Sequence, residues 1–324
     1  MSHLRVRYCR NSAVERIKRS PKWDDEGVAA TIGTIMSLLV FLTFMGMFTN
    51  QFVPVWMSDN ESAHMANVAT QMLSFKADID GLVADYSNSL LAPAPIVAPI
   101  TLHATGIPIF AEPTAGVLVF VHETASERPC LNVSYEDDDY SLGPTTGGHS
   151  GGYVYLYAPN RYYVEQYLIY EAGAVILNQT DGEFIISGPQ FSVNDVSGNR
   201  VVKLTQLSLY GANKTVGGTG SKSINAEMMY ADTSTLRAAA GADLTISILT
   251  THGLAWEAYF NRALNSSLAG LDYTTDYSVS KEAYPYVYLG RNIYYYVVNV
   301  TIHDVHVFDH THATIQMSLG EVSL

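Results

Sequence analysis

Apolar residues follow three different patterns along the chain, and the first is continuous. An apolar run of 26 residues, Val28–Val53, contains no charged side chain. As a helix it would be about 39 Å long, which exceeds the roughly 30 Å hydrocarbon core of a bilayer. We therefore predict a transmembrane helix over residues 28–56.

The second pattern is a seam of apolar residues spaced alternately three and four apart, as at positions a and d of a heptad. It predicts an amphipathic stalk helix over residues 57–92, in which Ser58 and Glu61 have capping-box spacing. Upstream, Pro54 is expected to disturb the helix. The seam has to be covered by the chain's own outer domain, by identical helices of an assembly, or by each of these along a different length of the helix. Its members are Met65, Val68, Met72, Phe75, Ile79, Leu82 and Tyr86.

The third pattern consists of short alternating or β-branched segments separated by Gly, Pro and Asn, and it predicts a β-rich domain over residues 93–324. Ser223–Tyr230 and Asp243–Thr250 are predicted as separate strands, and Gly253–Leu268 as the single helix. The expected class is α+β: a long N-terminal transmembrane and stalk helix followed by a mainly antiparallel, β-sandwich-like extracellular domain.

The charge distribution orients the predicted membrane helix. Residues 1–26 carry a net charge of +3 and the remainder −16. Under the positive-inside rule, residues 1–27 form a basic cytoplasmic leader and the C-terminal domain is extracellular. A secretory signal peptide is the competing interpretation, but its apolar core is shorter. The acidic outer domain excludes nucleic acid as a partner, and Cys9 and Cys130 are expected on opposite sides of the membrane.

Six Asn-x-Ser/Thr sequons all follow the apolar run, which favours a glycosylated outer surface. Their acceptors are Asn60, Asn132, Asn178, Asn213, Asn265 and Asn299.

Candidate chemistry is sparse, and we expect neither an enzyme nor a cofactor. Gly148–Gly152 matches G-x-S-x-G, but a strand rather than a helix is predicted after the serine, so a nucleophile elbow is not expected. Gly217–Ser223 lacks the Gly-Lys-Ser/Thr order of a phosphate loop and is predicted to be a hairpin turn. The acidic run Glu136–Asp139 is predicted to be a solvated loop.

The histidine-rich segment His303–His312 is the strongest metal candidate. His306, His310 and His312 lie on alternate strand positions and would share one face. A turn could bring them together as Zn or Cu ligands; the other interpretation is a polar strand face.

The segment Asp24–Gly27 followed by Val28–Met36 resembles the N-terminus of archaeal type IV pilin-like membrane proteins with class III signal peptides. Tyr170–Leu177 and Thr250–Phe260 are also similar to recurrent segments of such proteins. The resemblance implies a leader removed by prepilin peptidase between Gly27 and Val28, and a helix that self-associates or packs on other pilin-like subunits. The chain departs from the pattern at Glu26, where a basic residue is usual, and in lacking a proline near Ala30.

Together these patterns predict a membrane-anchored, cell-surface protein with a structural, assembly or adhesion role, such as a minor pilus or pseudopilus subunit. The alternative is a solitary anchored binding or sensing module with no filament role. A cleaved leader favours the first and an intact Met1 the second.

Overall fold

The computed structural model of the protein describes residues 25–89, 93–122, 130–135, 149–196, 198–266, 270–288 and 291–321. Most of the predicted leader, including Cys9, lies outside these ranges. The same is true of the acidic run Glu136–Asp139 and of Gly148.

The chain divides into two compact units, Met1–Phe52 and Val53–Leu324. The first contains α1 (Asp25–Met47) and a π-helical turn (Phe48–Phe52). In a regular α-helix the ring of Pro54 would clash with the carbonyl group of Asn50, and a π-helical turn removes that clash. The π-helical turn lies immediately before Pro54.

The second unit contains the helices α2 (Val53–Ser89) and α3 (Gly253–Leu264) together with the strands. Among the described residues the strands are β1 (Ile96–Thr101), β2 (Gly116–Val121), β3 (Cys130–Tyr135), β4 (His149–Gly151), β5 (Tyr153–Ala158), β6 (Gln166–Glu171), β7 (Ala174–Gln179), β8 (Gly182–Ser187), β9 (Phe191–Val196), β10 (Asn199–Tyr210), β11 (Lys214–Gly218), β12 (Ser221–Thr250), β13 (Tyr277–Tyr288) and β14 (Arg291–Glu321).

The strands form two sheets. The larger has the order β4-β3-β12-β14-β10-β9, with β1 also on β12 and β13 also on β14; the smaller has the order β11-β2-β5-β6-β7-β8. Among the strands that the structure describes, all pairs are antiparallel except β10 with β14. The predicted class, a long N-terminal apolar helix followed by a mainly antiparallel β-domain, is confirmed.

Two strands are much longer than predicted. β12 has 30 residues and β14 has 31, and they pair along most of their length with register shifts near Met228, Arg237 and Ala242. The two strands predicted at Ser223–Tyr230 and Asp243–Thr250 are thus one. Bulges let a single strand bend where the sequence pattern suggested a break.

The segment after β11 is a turn, but the hairpin prediction for Gly217–Ser223 is wrong. β11 pairs with β2 in the smaller sheet, whereas β12 belongs to the larger sheet. The turn therefore carries the chain from one sheet to the other.

The apolar seam of α2 is buried by the chain's own β-domain. Its residues from Met65 to Leu82 are at most 4% exposed and belong to one core cluster with side chains of both sheets. Phe75 packs edge-to-face on Tyr170 of β6, with ring centroids 5.2 Å apart. Of the two coverings considered for the seam, the outer domain is the one observed.

Polar contacts fix α2 on the domain at its first turns. The helix begins at Val53 rather than Ser58, so Glu61 does not act as part of a capping box. Instead its carboxylate, fully buried, accepts hydrogen bonds from the backbone N–H groups of Arg161, Tyr162 and Tyr163 at 2.8–3.1 Å. Such charge-assisted bonds are stronger than neutral ones, so the β5–β6 connection is tied to α2.

Candidate functional site

The apolar helix is the first functional candidate. From Val28 onward α1 is exposed on every side, and one helix among the described residues is long and apolar enough to cross a membrane. The proposed processing bond, Gly27–Val28, lies within α1, and Val28 is 50% exposed. This composition and exposure suit a lipid environment or the side of another helix.

Each of the three histidines predicted as metal ligands contacts a different hydrogen-bonding group. His310 Nε2 lies 2.8 Å from Gln206 Oε1, His312 Nε2 lies 3.0 Å from Ser208 Oγ, and His306 Nδ1 contacts a backbone carbonyl. The described part of the chain holds no group of three His, Cys, Asp or Glu residues placed to bind a metal. His310 and His312 do share a face, as predicted, but both are buried, and their hydrogen-bond partners lie beside them on the neighbouring strand β10.

The serine of the G-x-S-x-G segment is not positioned as a nucleophile. Ser150 lies in β4, is 1% exposed, and donates to the carbonyl group of Leu131 at 3.3 Å. A nucleophile elbow needs an exposed hydroxyl at the start of a helix.

The second candidate, which we did not predict, is a cavity of about 590 Å³ above the smaller sheet. We call it the tyrosine pocket. Its lining residues come from β5, β6, β7, the start of α3 and β14, and are Tyr153, Tyr155, Tyr167, Ile169, Glu171, Asn178, Thr251, His252 and Tyr295. The strand period places the residues of β5 and β6 on one face.

Tyrosine rings form the walls of the pocket. Tyr153 and Tyr155 are roughly parallel, with ring centroids 6.1 Å apart, and Tyr167 stacks on Tyr157 at 4.8 Å. Burial, with help from the charge of Glu165, raises the pKa of Tyr167 to about 12. Its hydroxyl therefore stays protonated and able to donate.

Polar groups at the base of the pocket are fixed by buried hydrogen bonds. Glu171 is 2% exposed and accepts from Trp256 Nε1 at 3.1 Å. His252 Nδ1 lies 3.0 Å from Glu183 Oε2. The other oxygen of Glu183 accepts from the backbone N–H groups of Leu254 and Ala255, so this residue caps α3 from a neighbouring strand.

The pKa values of the three ionisable groups, Glu171, Glu183 and His252, are not all shifted in the same direction. Burial raises the pKa of Glu171, although His252 and the hydrogen bonds from Thr250 and Trp256 oppose the rise. Burial alone would raise the pKa of Glu183 and lower that of His252. Their mutual hydrogen bond and charge outweigh burial, so the pKa of Glu183 is lowered and that of His252 is raised. The shifts of Glu183 and His252 therefore favour the ionic form of the pair, whereas the pKa of Glu171 is shifted upward by its burial.

A close backbone approach explains the residue that starts α3. A Cβ atom on Gly253 would lie 2.5 Å from the side chain of Tyr296 in β14. Only glycine lets the strand-to-helix turn sit this close, and the turn places His252 at the pocket.

The ion pair at the base of the pocket leads to a pH-dependent prediction. We expect Glu183→Gln to lower the free energy of unfolding by about 1–2 kcal/mol near pH 6. The contribution of His252 to the free energy of unfolding is present below its unfolded pKa of 6.5 and is lost as pH rises through its raised folded pKa. The contribution of Glu183 is present above its unfolded pKa of 4.5 and is lost as pH falls through its lowered folded pKa.

Urea unfolding of the full chain at several pH values measures this effect. The difference between wild type and Glu183→Gln should be largest in mildly acidic buffer and should shrink in alkaline buffer. Glu227→Gln, which changes an exposed acid on β12, is the matched control. A difference that does not vary with pH would contradict the ion pair.

Comparison with known protein families identifies the family of this chain. A family described as a family of unknown function (DUF7289) matches residues 143–305, which is half of the chain. The chain belongs to the DUF7289 family. No curated protein and no solved structure matches it.

The DUF7289 match contains every lining residue of the tyrosine pocket as well as Glu183 and α3. It begins after α1 and α2. Sequence reasoning missed the pocket, although one signal was present: tyrosines alternate at 153, 155 and 157 in β5. Their convergence with His252 depends on sheet pairing, which this alternation does not specify.

Proposed function

We propose that this protein is a membrane-anchored, pilin-like cell-surface protein with a structural, assembly or adhesion role. The observation that carries the proposal is the division of apolar surface between its N-terminal helices. The α2 seam is buried in the β-domain, whereas α1 is apolar and exposed on every side. One helix is thus committed to the domain, and the other is left to bind lipid or further helices.

The direction of the anchor follows from charge. The net charge of +3 on residues 1–26 and of −16 beyond them favours a cytoplasmic N-terminus and an extracellular domain. Within such an assembly, α1 would make the contacts with other copies or other pilin-like subunits, because the α2 seam is already occupied. Prepilin peptidase would expose α1 by cleaving between Gly27 and Val28.

Mass spectrometry of the protein purified from membranes tests the proposal directly. We expect a mature N-terminus at Val28 and cross-linked oligomers in native membranes. Gly27→Leu should block the cleavage, while Gly46→Leu, a matched change inside α1, should leave it intact. An uncut leader on a monomeric wild-type protein would refute the assembly role.

A second candidate function is a solitary anchored binding module, and the tyrosine pocket favours it. Aromatic walls with a few fixed polar groups are typical of small-molecule sites. This function predicts an intact Met1 and a monomer, so the same measurements separate the two candidates.

We also propose that glycosylation is confined to two of the six sequons. Asn213 and Asn265 are exposed, between β10 and β11 and at the end of α3. The other four are half-buried. Asn60 donates to the carbonyl group of Thr105 and Asn299 accepts from Ser247, but Asn213 also accepts from the backbone N–H of His122, so exposure is what separates the two groups. Glycopeptide mass spectrometry should find glycans only at Asn213 and Asn265, and Asn213→Gln with Asn265→Gln should abolish the mass increment. Glycan at Asn299 would contradict this.

A further inference from the structure

We propose that the tyrosine pocket binds a neutral saccharide, such as a terminal hexose of a surface glycan. This inference goes beyond the anchoring and assembly role and holds whether or not the chain forms filaments. It rests on the size of the cavity, the nature of its walls and the balance of charge at its base.

The size and shape suit a small polar ligand with apolar faces. The cavity of about 590 Å³ falls within the range of ordinary small-molecule sites, roughly 300–1,000 Å³. A tyrosine presents an apolar ring and a polar hydroxyl at its edge. The near-parallel rings of Tyr153 and Tyr155 offer a surface for the C–H face of a pyranose.

The polar lining supplies both donors and acceptors, which a sugar needs because each hydroxyl is both. Asn178 contributes an amide, Thr251 a hydroxyl, His252 an imidazole and Glu171 a carboxyl group. These groups sit beside the aromatic walls rather than at a distant rim. Hydroxyls entering the pocket could therefore replace their water hydrogen bonds.

The charges of the lining residues distinguish a neutral ligand from a cation or an anion. Tyrosine walls alone would also suit an organic cation through cation–π attraction. However, the imidazole of His252 in the lining is paired with the carboxylate of Glu183 at 3.0 Å, so the charges of this pair compensate each other. The carboxyl group of Glu171 is 2% exposed and already accepts a hydrogen bond from Trp256. A charged ligand would therefore lose its hydration without gaining an exposed counter-charge, a cost that a ligand without net charge avoids.

The site is preorganised. Trp256 holds the carboxyl group of Glu171, and Glu183 holds the imidazole of His252. Groups fixed before binding lose little conformational entropy when the ligand arrives.

The test uses the full chain in lauryldimethylamine oxide, because detergents with sugar headgroups would compete for the pocket. Saturation-transfer NMR and calorimetric titration are performed with the methyl glycosides of glucose, galactose, mannose and N-acetylglucosamine. Glucosamine and glucuronate serve as charged counterparts of glucose. We expect saturable binding of at least one neutral glycoside, with a Kd on the order of 1 mM, and at least tenfold weaker binding of the charged analogues.

Variants locate the binding. Thr251→Arg places a bulky side chain in the lining of the pocket and should abolish the NMR signal. Tyr155→Ala should weaken binding at least tenfold, whereas Tyr210→Ala, at a tyrosine 59% exposed on β10, should leave it unchanged. Circular dichroism checks that each variant is folded, and Thr251→Arg decides the matter if Tyr155→Ala unfolds.

Three outcomes would overturn the proposal. They are the absence of saturable binding by any neutral glycoside, binding that Thr251→Arg leaves intact, and tighter binding of glucosamine or glucuronate than of glucose. None of these outcomes depends on leader cleavage or oligomeric state, so failure here is distinct from failure of the assembly role.

Discussion

Phe75→Ala should lower the free energy of unfolding of the β-domain by about 3–5 kcal/mol. The side chain is fully buried between α2 and the sheets and contacts Tyr170 edge-to-face. Truncation removes its apolar contacts and leaves a cavity that the surrounding strands cannot close. Urea unfolding of the detergent-solubilised chain, followed by far-UV circular dichroism, measures the loss.

Phe184→Ala is the matched control, because Phe184 in β8 is 45% exposed. It should cost less than about 1 kcal/mol. If Phe75→Ala cost as little as the control and instead disrupted oligomers, the seam would serve assembly rather than the domain.

Acid should destabilise the protein well above the pH at which carboxyl groups protonate. Burial, with a smaller influence from His312, lowers the pKa of His310 to about 4 from its usual 6.5. The unfolded chain therefore binds a proton as pH falls below 6.5, while the folded chain does not. Stability should fall by about 2 kcal/mol by pH 5, and by about 3 kcal/mol once pH is below 4.

The variant His310→Gln tests whether His310 makes the stability fall as the pH falls. Glutamine can still donate to Gln206 and does not titrate, so the variant should lose much less stability between neutral pH and pH 5. The remaining slope is expected from His312 and His64, whose pKa values burial also lowers. His306→Gln, at a histidine outside the buried network, is the matched substitution for comparison. Equal slopes for wild type and His310→Gln would contradict the prediction.

The parts of the fold that follow from local pattern were predictable. The apolar run placed α1, and the three-four spacing identified the buried face of α2 residue by residue. In each case the signal is the period of side chains along one element.

The parts that depend on distant pairing were not predictable. Gln206 and Ser208 engage His310 and His312 across the parallel β10–β14 pair, so the histidines that suggested a metal site form a hydrogen-bonded network. The cap of α3 comes from Glu183, about 70 residues earlier in the chain. Sequence near a helix start cannot reveal a cap supplied by another strand.

The position of β14 constrains when the domain can form during synthesis. This strand ends at Glu321 yet pairs with β10, β12 and β13, so it occupies the middle of the larger sheet. Until residues 291–321 have left the ribosome, β12 lacks its longest partner, and β10 has only β9 among the described strands. The larger sheet therefore forms only after β14 has been synthesised, and a chain truncated before residue 291 would have no native larger sheet to complete.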